Sequence, residues 1–160
     1  MPDIQIRAAT RADAALILQY VKELATYESA NSEVTATVED IQKSIFGDNS
    51  IAHALICSIN EEPVGFAIYF YNYSTWLGKN GLYLEDLYII PKHRAKGAGK
   101  KLLKHLAAIA VSKDCGRFEW SVLDWNQTAI KVYQSIGANP QSEWIRYRLE
   151  DEALKDFAKA

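Results

Sequence analysis

Two clusters of residues could do chemistry. The first is a pair of adjacent acids, Glu85 and Asp86, set inside an apolar run, Tyr83-Leu84-Glu85-Asp86-Leu87-Tyr88-Ile89-Ile90. Carboxylates in such surroundings are costly unless they are paired or hydrated. A carboxylate there can attract a cationic amine and then accept its proton, directly or through water. Successive strand residues point to opposite faces, so a regular strand aims only one of the two acids into a given cleft. Either one fits. The second cluster follows Pro91: Arg94-Ala95-Lys96-Gly97-Ala98-Gly99-Lys100. Glycines let the backbone turn sharply and let a ligand approach without a Cβ in the way. A helix beginning there offers unpaired N–H groups and a dipole that favours an anion. With the surrounding Arg and Lys, this makes a cradle for a diphosphate.

Known phosphate loops fit poorly. A Walker A loop needs Gly where Arg94 stands and a hydroxyl where Lys101 stands. A dinucleotide fingerprint needs Gly or Ala where Leu102 stands. The cysteines, Cys57 and Cys115, form no C-x-x-C pair and read as small apolar residues of a reduced, cytoplasmic protein. The three histidines are not spaced as zinc ligands, so no metal site is expected.

The elements that must position these clusters can be read from periodicity. Ile4–Arg7 alternates as a strand, and Thr10 caps a helix that runs to about Tyr27. Thr37 caps a second helix carrying Ile41, Ile45 and Phe46. Strands over 52–59 and 64–71 flank a hairpin turn at 60–63, and a loop holds Trp76, Gly78, Asn80 and Gly81. A strand over 82–90 then ends at Pro91 and delivers the loop to a helix bearing Leu102, Leu103, Leu106 and Ile109. A strand over 118–123 follows. Asn126 caps a short helix with Ala129, Ile130 and Tyr133 on one face, and Gly137 closes it. A last strand over 143–149 and a charged helical tail are expected. Hairpin strands followed by strands alternating with helices give an α/β (α+β) fold with a central mixed sheet.

Composition bounds the rest. The chain has 160 residues, 49% of them hydrophobic and 24% charged, with a net charge of −2. One domain over 1–160 is expected. The charge balance excludes a dedicated nucleic-acid binder, and no apolar run is long enough for a membrane helix. The near-neutral sum hides a segregation. Residues 91–113 carry Lys92, Arg94, Lys96, Lys100, Lys101, Lys104 and Lys113 and no acid. Residues 23–40 carry Glu23, Glu28, Glu33, Glu39 and Asp40 and no Lys or Arg, an acidic rim suited to a cation.

The strand and loop over 83–99 resemble the acetyl-CoA signature of the GNAT superfamily of N-acetyltransferases, Q/R-x-x-G-x-G/A. Asp124-Trp125-Asn126-Gln127 with Ala129, Tyr133 and Gly137-Ala138 resembles that superfamily's later motif. The likeness also takes in Leu24-Ala25-x-Tyr27-Glu28 and Tyr73-x-x-Trp76, and is closest to the diamine (spermidine/spermine) and thialysine N-epsilon-acetyltransferase-like branch. It implies a mostly antiparallel twisted sheet that splays at the cofactor site, and acetyl-CoA as cosubstrate. Backbone groups around Leu87, Tyr88 and Ile89 would meet the pantetheine arm. Arg94, Ala95, Lys96, Gly97, Ala98, Gly99 and Lys100 would hold the diphosphate, with Asn126, Ala129 and Tyr133 also at the cofactor. It implies Tyr133 as general acid and Glu85 at the substrate amine. Tyr27, Glu28, Trp76, Asp86 and Glu143 would complete the substrate side. Ala95 departs from the family, which often has glycine there. So does Ser74-Thr75, where polyamine-acetylating members carry an acid. The expected reaction is direct acetyl transfer to a small cationic amine, thialysine, a lysine analogue or a short diamine, by a cytoplasmic homodimer. A CoA-binding regulatory module and a protein lysine or N-terminal acetyltransferase are the rivals.

Overall fold

In the computed structural model, which describes residues 2–159, the chain forms two compact units, 1–121 and 122–160. The first begins with β1 (Ile4–Ala8) and a short 3-10 turn capped by Thr10, which runs into α1 (Ala14–Tyr27). Thr37 caps α2 (Val38–Phe46): its side chain accepts from the Asp40 N–H at 3.1 Å, and the Asp40 carboxylate accepts from the Thr37 N–H. β2 (His53–Ile59) and β3 (Glu62–Ser74) are joined through Asn60 and Glu61, both left-handed at φ 48° and 68°. That pair of positive φ values is what a tight two-residue hairpin requires. β4 (Lys79–Ile89), α3 (Ala98–Ser112) and β5 (Phe118–Trp120) complete the unit.

The sheet order is β1-β2-β3-β4-β5, antiparallel except for the parallel β4–β5 pair. This is the mixed, mostly antiparallel sheet expected. Period-two alternation assigns its faces. Ala54, Ile56, Phe66, Ile68 and Tyr88 pack with Ile17, Tyr20 and Ile41 of α1 and α2. On the opposite face, α3 packs on β1, β2 and β4 with Leu102 and Leu106 wholly buried. Each such side chain contributes roughly 1.5–3 kcal/mol of burial. These two layers fix β4 from both sides, and β4 carries the first chemical cluster.

Three elements differ from expectation. The 76–81 loop is shorter than the glycines and asparagine suggest: β3 runs on to Ser74 and β4 starts at Lys79, leaving a tight turn at Thr75–Gly78. Gly81 is a strand residue facing Asn72, where a Cβ would collide with the Asn72 carboxamide oxygen, so its role is steric space rather than turning. Residues 143–149 form no strand among the described residues, and Trp144, Ile145 and Tyr147 are exposed. Their alternation is strand-like, but alternation by itself does not make a strand. β5 likewise ends at Trp120, short of the expected 123.

The second unit holds α4 (Gln127–Ser135) and α5 (Asp151–Ala158). Asn126 caps α4, its side chain accepting from the Ala129 N–H at 3.3 Å, and Gly137 at φ 88° follows the helix. No helix among the described residues is long and apolar enough to cross a membrane.

Candidate active site

The acids sit on a β-bulge. Ile68 faces Asp86 across the β3–β4 pair, but the next residue, Tyr69, faces Leu84. Glu85 is therefore the extra residue, released from regular alternation. Glu85 is exposed, whereas Asp86 is partly buried on the α1–α2 face that it shares with Tyr88. Burial, reinforced by the charges of Glu85 and Glu28, pushes the Asp86 carboxyl up to about 6. Glu28 stands at the C-terminal end of α1, where burial raises its carboxyl as well. Glu28 and Asp86, whose carboxyls both hold a proton more tightly than usual, are suited to take a cation or its proton.

The wider acidic rim is mostly committed to structure. Asp40 belongs to the α2 cap. Glu23 accepts from the Tyr88 hydroxyl at 2.9 Å and from Gln19 at 2.8 Å. Of the rim acids, Glu28 alone is brought to the bulge by an electrostatic link to Asp86.

Beyond the bulge, β4 is paired on one side. Its β3 partners run to Gly65 opposite Ile89, whereas among the described residues β5 faces only Leu82, Tyr83 and Leu84. Ile90 N–H donates to Val64 O at 2.8 Å, so alternation turns the Tyr88 N–H toward β3 and those of Leu87 and Ile89 toward the open edge. Leu87 and Ile89 thus offer donors where a ligand's amide groups could pair. Tyr88 does not: its backbone serves the sheet and its ring is 5% exposed.

The loop after Pro91 wraps through two left-handed residues, Ala95 at φ 63° and Gly97 at φ 87°. Gly97 is the N-cap of α3 and supplies no capping side chain. No acid occupies the first turn, which instead carries Lys100 and Lys101. Cations at a helix N-terminus oppose the macrodipole, so an anion there relieves both. Gly99 has no conformational reason to be glycine: its φ is ordinary, and a Cβ would meet only Ile89 and Leu87 side chains at 3.9 Å. What its bareness leaves is room beside the first-turn N–H groups, which is what a diphosphate needs. Ala98 is buried and anchors the turn, while Lys96 and Lys100 are exposed. Glu62 ties the loop down through Lys92 at 3.2 Å, and Lys101 Nζ donates to Ile4 O at 2.8 Å.

Arg94 is held by more than the loop. Its Nε donates to Ile89 O at 2.9 Å, and its guanidinium lies 5.0 Å from the Tyr27 ring centre and 5.5 Å from that of Tyr88. Sequence reading missed this link. Its only trace was the four-residue spacing of Gln19, Glu23 and Tyr27, which puts them on one face of α1. Trp76 is 83% exposed at the β3–β4 turn. Tyr133 lies on α4 and Glu143 is exposed after it, both in the second unit.

The fold and the glycine cradle define a class, and comparison with known proteins agrees. The Acetyltransferase (GNAT) family model matches residues 18–138, and the chain belongs to that family and is an acetyl-transferring enzyme. It is 37% identical to the thialysine N-epsilon-acetyltransferase of Sus scrofa, over 99% of each chain. It is 36% identical to the human spermidine/spermine N(1)-acetyltransferase-like protein 1, over 99% of this chain and 24% of that protein. Among solved structures, an integron cassette protein of V. cholerae superposes with a TM-score of 0.82 and 28% identity, over 98% of each chain.

Proposed function

We propose that this enzyme moves the acetyl group of acetyl-CoA to a primary amine of a small cationic molecule, thialysine, a lysine analogue or a short diamine, in a ternary complex. The observation that carries this reading is the cradle: a left-handed Gly97 cap, a Gly99 that the fold itself does not require, and lysines at the wrong end of a helix. The Leu87 and Ile89 N–H groups on the open β4 edge would bind the pantetheine arm. Acetyl-CoA supplies the thioester, and the chain's residues manage two protons.

A lysine-type ammonium has a pKa of about 10.4, so it must lose a proton before it attacks. Asp86, with Glu85 and Glu28 beside it, receives that proton. The amine nitrogen then bonds to the thioester carbonyl carbon, the C–S bond breaks, and Tyr133 protonates the departing sulfur. Asn126 and Ala129 line the same helix face. Tyr27, Glu28, Trp76 and Glu143 contact the amine substrate.

The substrate reading rests on the relatives named thialysine N-epsilon-acetyltransferase and on residues 74–75. Ser74 is 3% exposed and caps the turn, accepting from Leu77 N–H at 3.2 Å, so its hydroxyl serves the hairpin. With no carboxylate there, a long polycation loses a contact. The exposed apolar residues of 143–149 support a homodimer built through that segment, and two free cysteines suit a reducing cytoplasm.

Tyr133→Phe tests the chemistry. Turnover should fall by roughly 10²–10⁴, the usual contribution of a general acid, while acetyl-CoA still binds. Unchanged turnover would remove Tyr133 from the mechanism.

A further inference from the structure

The sheet face that carries Asp86 continues beyond it. Ile68 lies opposite Asp86 and belongs to the core under α1 and α2. Phe70 and Asn72 follow Ile68 at alternate positions of β3, so they point the same way. Phe70 faces Tyr83 on β4, with ring centres 5.2 Å apart, and Tyr83 faces Glu119 on β5. Asn72 Nδ2 donates to Glu119 Oε1 at 3.3 Å, which puts the Glu119 side chain on this face too. The row Phe70, Tyr83, Glu119 therefore lies two residues along the sheet from Asp86, roughly 7 Å, with Glu119 one strand spacing, about 5 Å, to the side.

Glu119 is accompanied by an arginine. Arg117 Nε donates to the same Oε1 at 2.9 Å, and a terminal nitrogen donates to Tyr73 O at 3.3 Å. Neither the Asn72 nor the Arg117 contact uses Glu119 Oε2, and a guanidinium carries five N–H donors, more than these contacts occupy. The Arg117 and Glu119 side chains are 40% and 36% exposed, open to a ligand from solvent. A lone far ammonium would need only the acid. An acid and an arginine side by side match a zwitterion, the ammonium on Oε2 and the carboxylate on the planar guanidinium fork. The space between suits an aliphatic stem. Phe70 and Tyr83 are partly buried and give it an apolar floor, the Tyr83 hydroxyl is pinned to Ser121 at 2.7 Å, and a thioether in the stem packs favourably on such rings. From the side-chain amine of a lysine-like molecule to its α-nitrogen is a chain of six single bonds of about 1.5 Å each, which when extended spans about the distance from Asp86 to Glu119.

We propose that Glu119 and Arg117 form the subsite for the α-amino and α-carboxylate groups of the substrate, so that the amine acetylated is the side-chain amine of an α-amino acid in preference to a diamine. This rests on the reading of Asp86 as the group that meets the reacting amine. Glu119 serves any molecule with a second ammonium at this distance. Arg117 serves only one that also carries a carboxylate, and it is the residue that separates the two classes.

The test is steady-state kinetics of the full chain with acetyl-CoA and two matched pairs of amines. Thialysine is paired with bis(2-aminoethyl) sulfide, and lysine with 1,5-diaminopentane; each diamine is its amino acid without the carboxylate. The unaltered protein should favour the amino acid of each pair by about tenfold in kcat/KM, the size of one charge-assisted contact. Arg117→Gln should raise KM for the amino acids about tenfold at unchanged kcat, and leave KM for the diamines and for acetyl-CoA as they were, so the preference disappears. Glu119→Gln should raise KM for both members of a pair alike. A merely structural Arg117 would instead move both members together when replaced. Equal use of both members by the unaltered protein, or loss of both alike in Arg117→Gln, would overturn the subsite while leaving acetyl transfer to amines in place. If Arg117→Gln fails to fold, the preference of the unaltered protein still decides. No turnover of any of the four amines would overturn the proposed function, and the subsite with it.

Discussion

The cradle at 94–99 and the acids at 28, 85 and 86 solve opposite problems by opposite means. The cradle is built from backbone: a left-handed cap, a bare Gly99 and first-turn N–H groups, with exposed lysines around it. The acid site is built from side chains, brought together by a bulge in β4 and the end of α1. A backbone site is blind to pH across the neutral range but is spoiled by a single methyl group. A side-chain site tolerates small shape changes but depends on which group holds a proton. On the proposed function, one enzyme would keep a permanently charged ligand in a pH-independent holder, and an amine that must lose its proton in a pH-dependent one.

The sharpest way to break the contrast is Asp86→Asn. With the carboxyl near 6, wild-type kcat/KM for the amine should rise with pH through that region. The variant should lose that limb and roughly 10²-fold in rate. Stability should move the other way. The folded carboxyl binds its proton more tightly than the unfolded one, so the folded state loses stability as pH rises from about 4 to about 6. Asp86→Asn should therefore melt higher than wild type at pH 7, and the advantage should fade below about pH 4. A variant less stable at pH 7 with an unaltered pH–rate profile would contradict the assignment.

Gly99→Ala probes the backbone half. A methyl in the first turn meets no clash and improves helix propensity, so the protein should be no less stable, by urea unfolding, and up to roughly 0.5 kcal/mol more so. Acetyl-CoA affinity should nevertheless fall roughly tenfold, about 1.4 kcal/mol, because the ligand's approach is obstructed. The pH–rate profile of the amine should stay as it is.

The smallest effect is at Ala95. Its φ of 63° costs an L-residue roughly 1–2 kcal/mol. Ala95→Gly should relieve that, offset by the added freedom of glycine in the unfolded chain, for a net gain of about 0.5–1 kcal/mol by urea unfolding. The acid site should not respond.

How much of this could be read from the sequence follows the same division. The cradle was legible because a backbone site is local: Arg94-x-x-Gly97-x-Gly99 between a strand and a helix is a contiguous signal. The acids were legible as residues, but their arrangement was not. Alternation alone sends Glu85 and Asp86 to opposite faces, and the bulge that changes this is a matter of register with β3. The acidic rim was over-read, since a charge run does not reveal that Asp40 caps a helix and Glu23 receives Tyr88. The Arg94–Tyr27 contact joins residues far apart in the chain, and no local pattern announces it. The last expected strand, 143–149, has the right alternation, but a strand also needs a neighbour, which periodicity does not supply.

The central claim is that this cradle and these acids serve acetyl transfer to a short cationic amine. A panel of thialysine, lysine, ornithine, short diamines, spermidine and spermine with acetyl-CoA, followed by CoA release, tests it most directly. Thialysine or a short diamine should be turned over with kcat/KM at least roughly tenfold above spermine, the effect of about 1.4 kcal/mol of lost contact. A clear preference for spermine or spermidine, or no turnover of any amine, would contradict it.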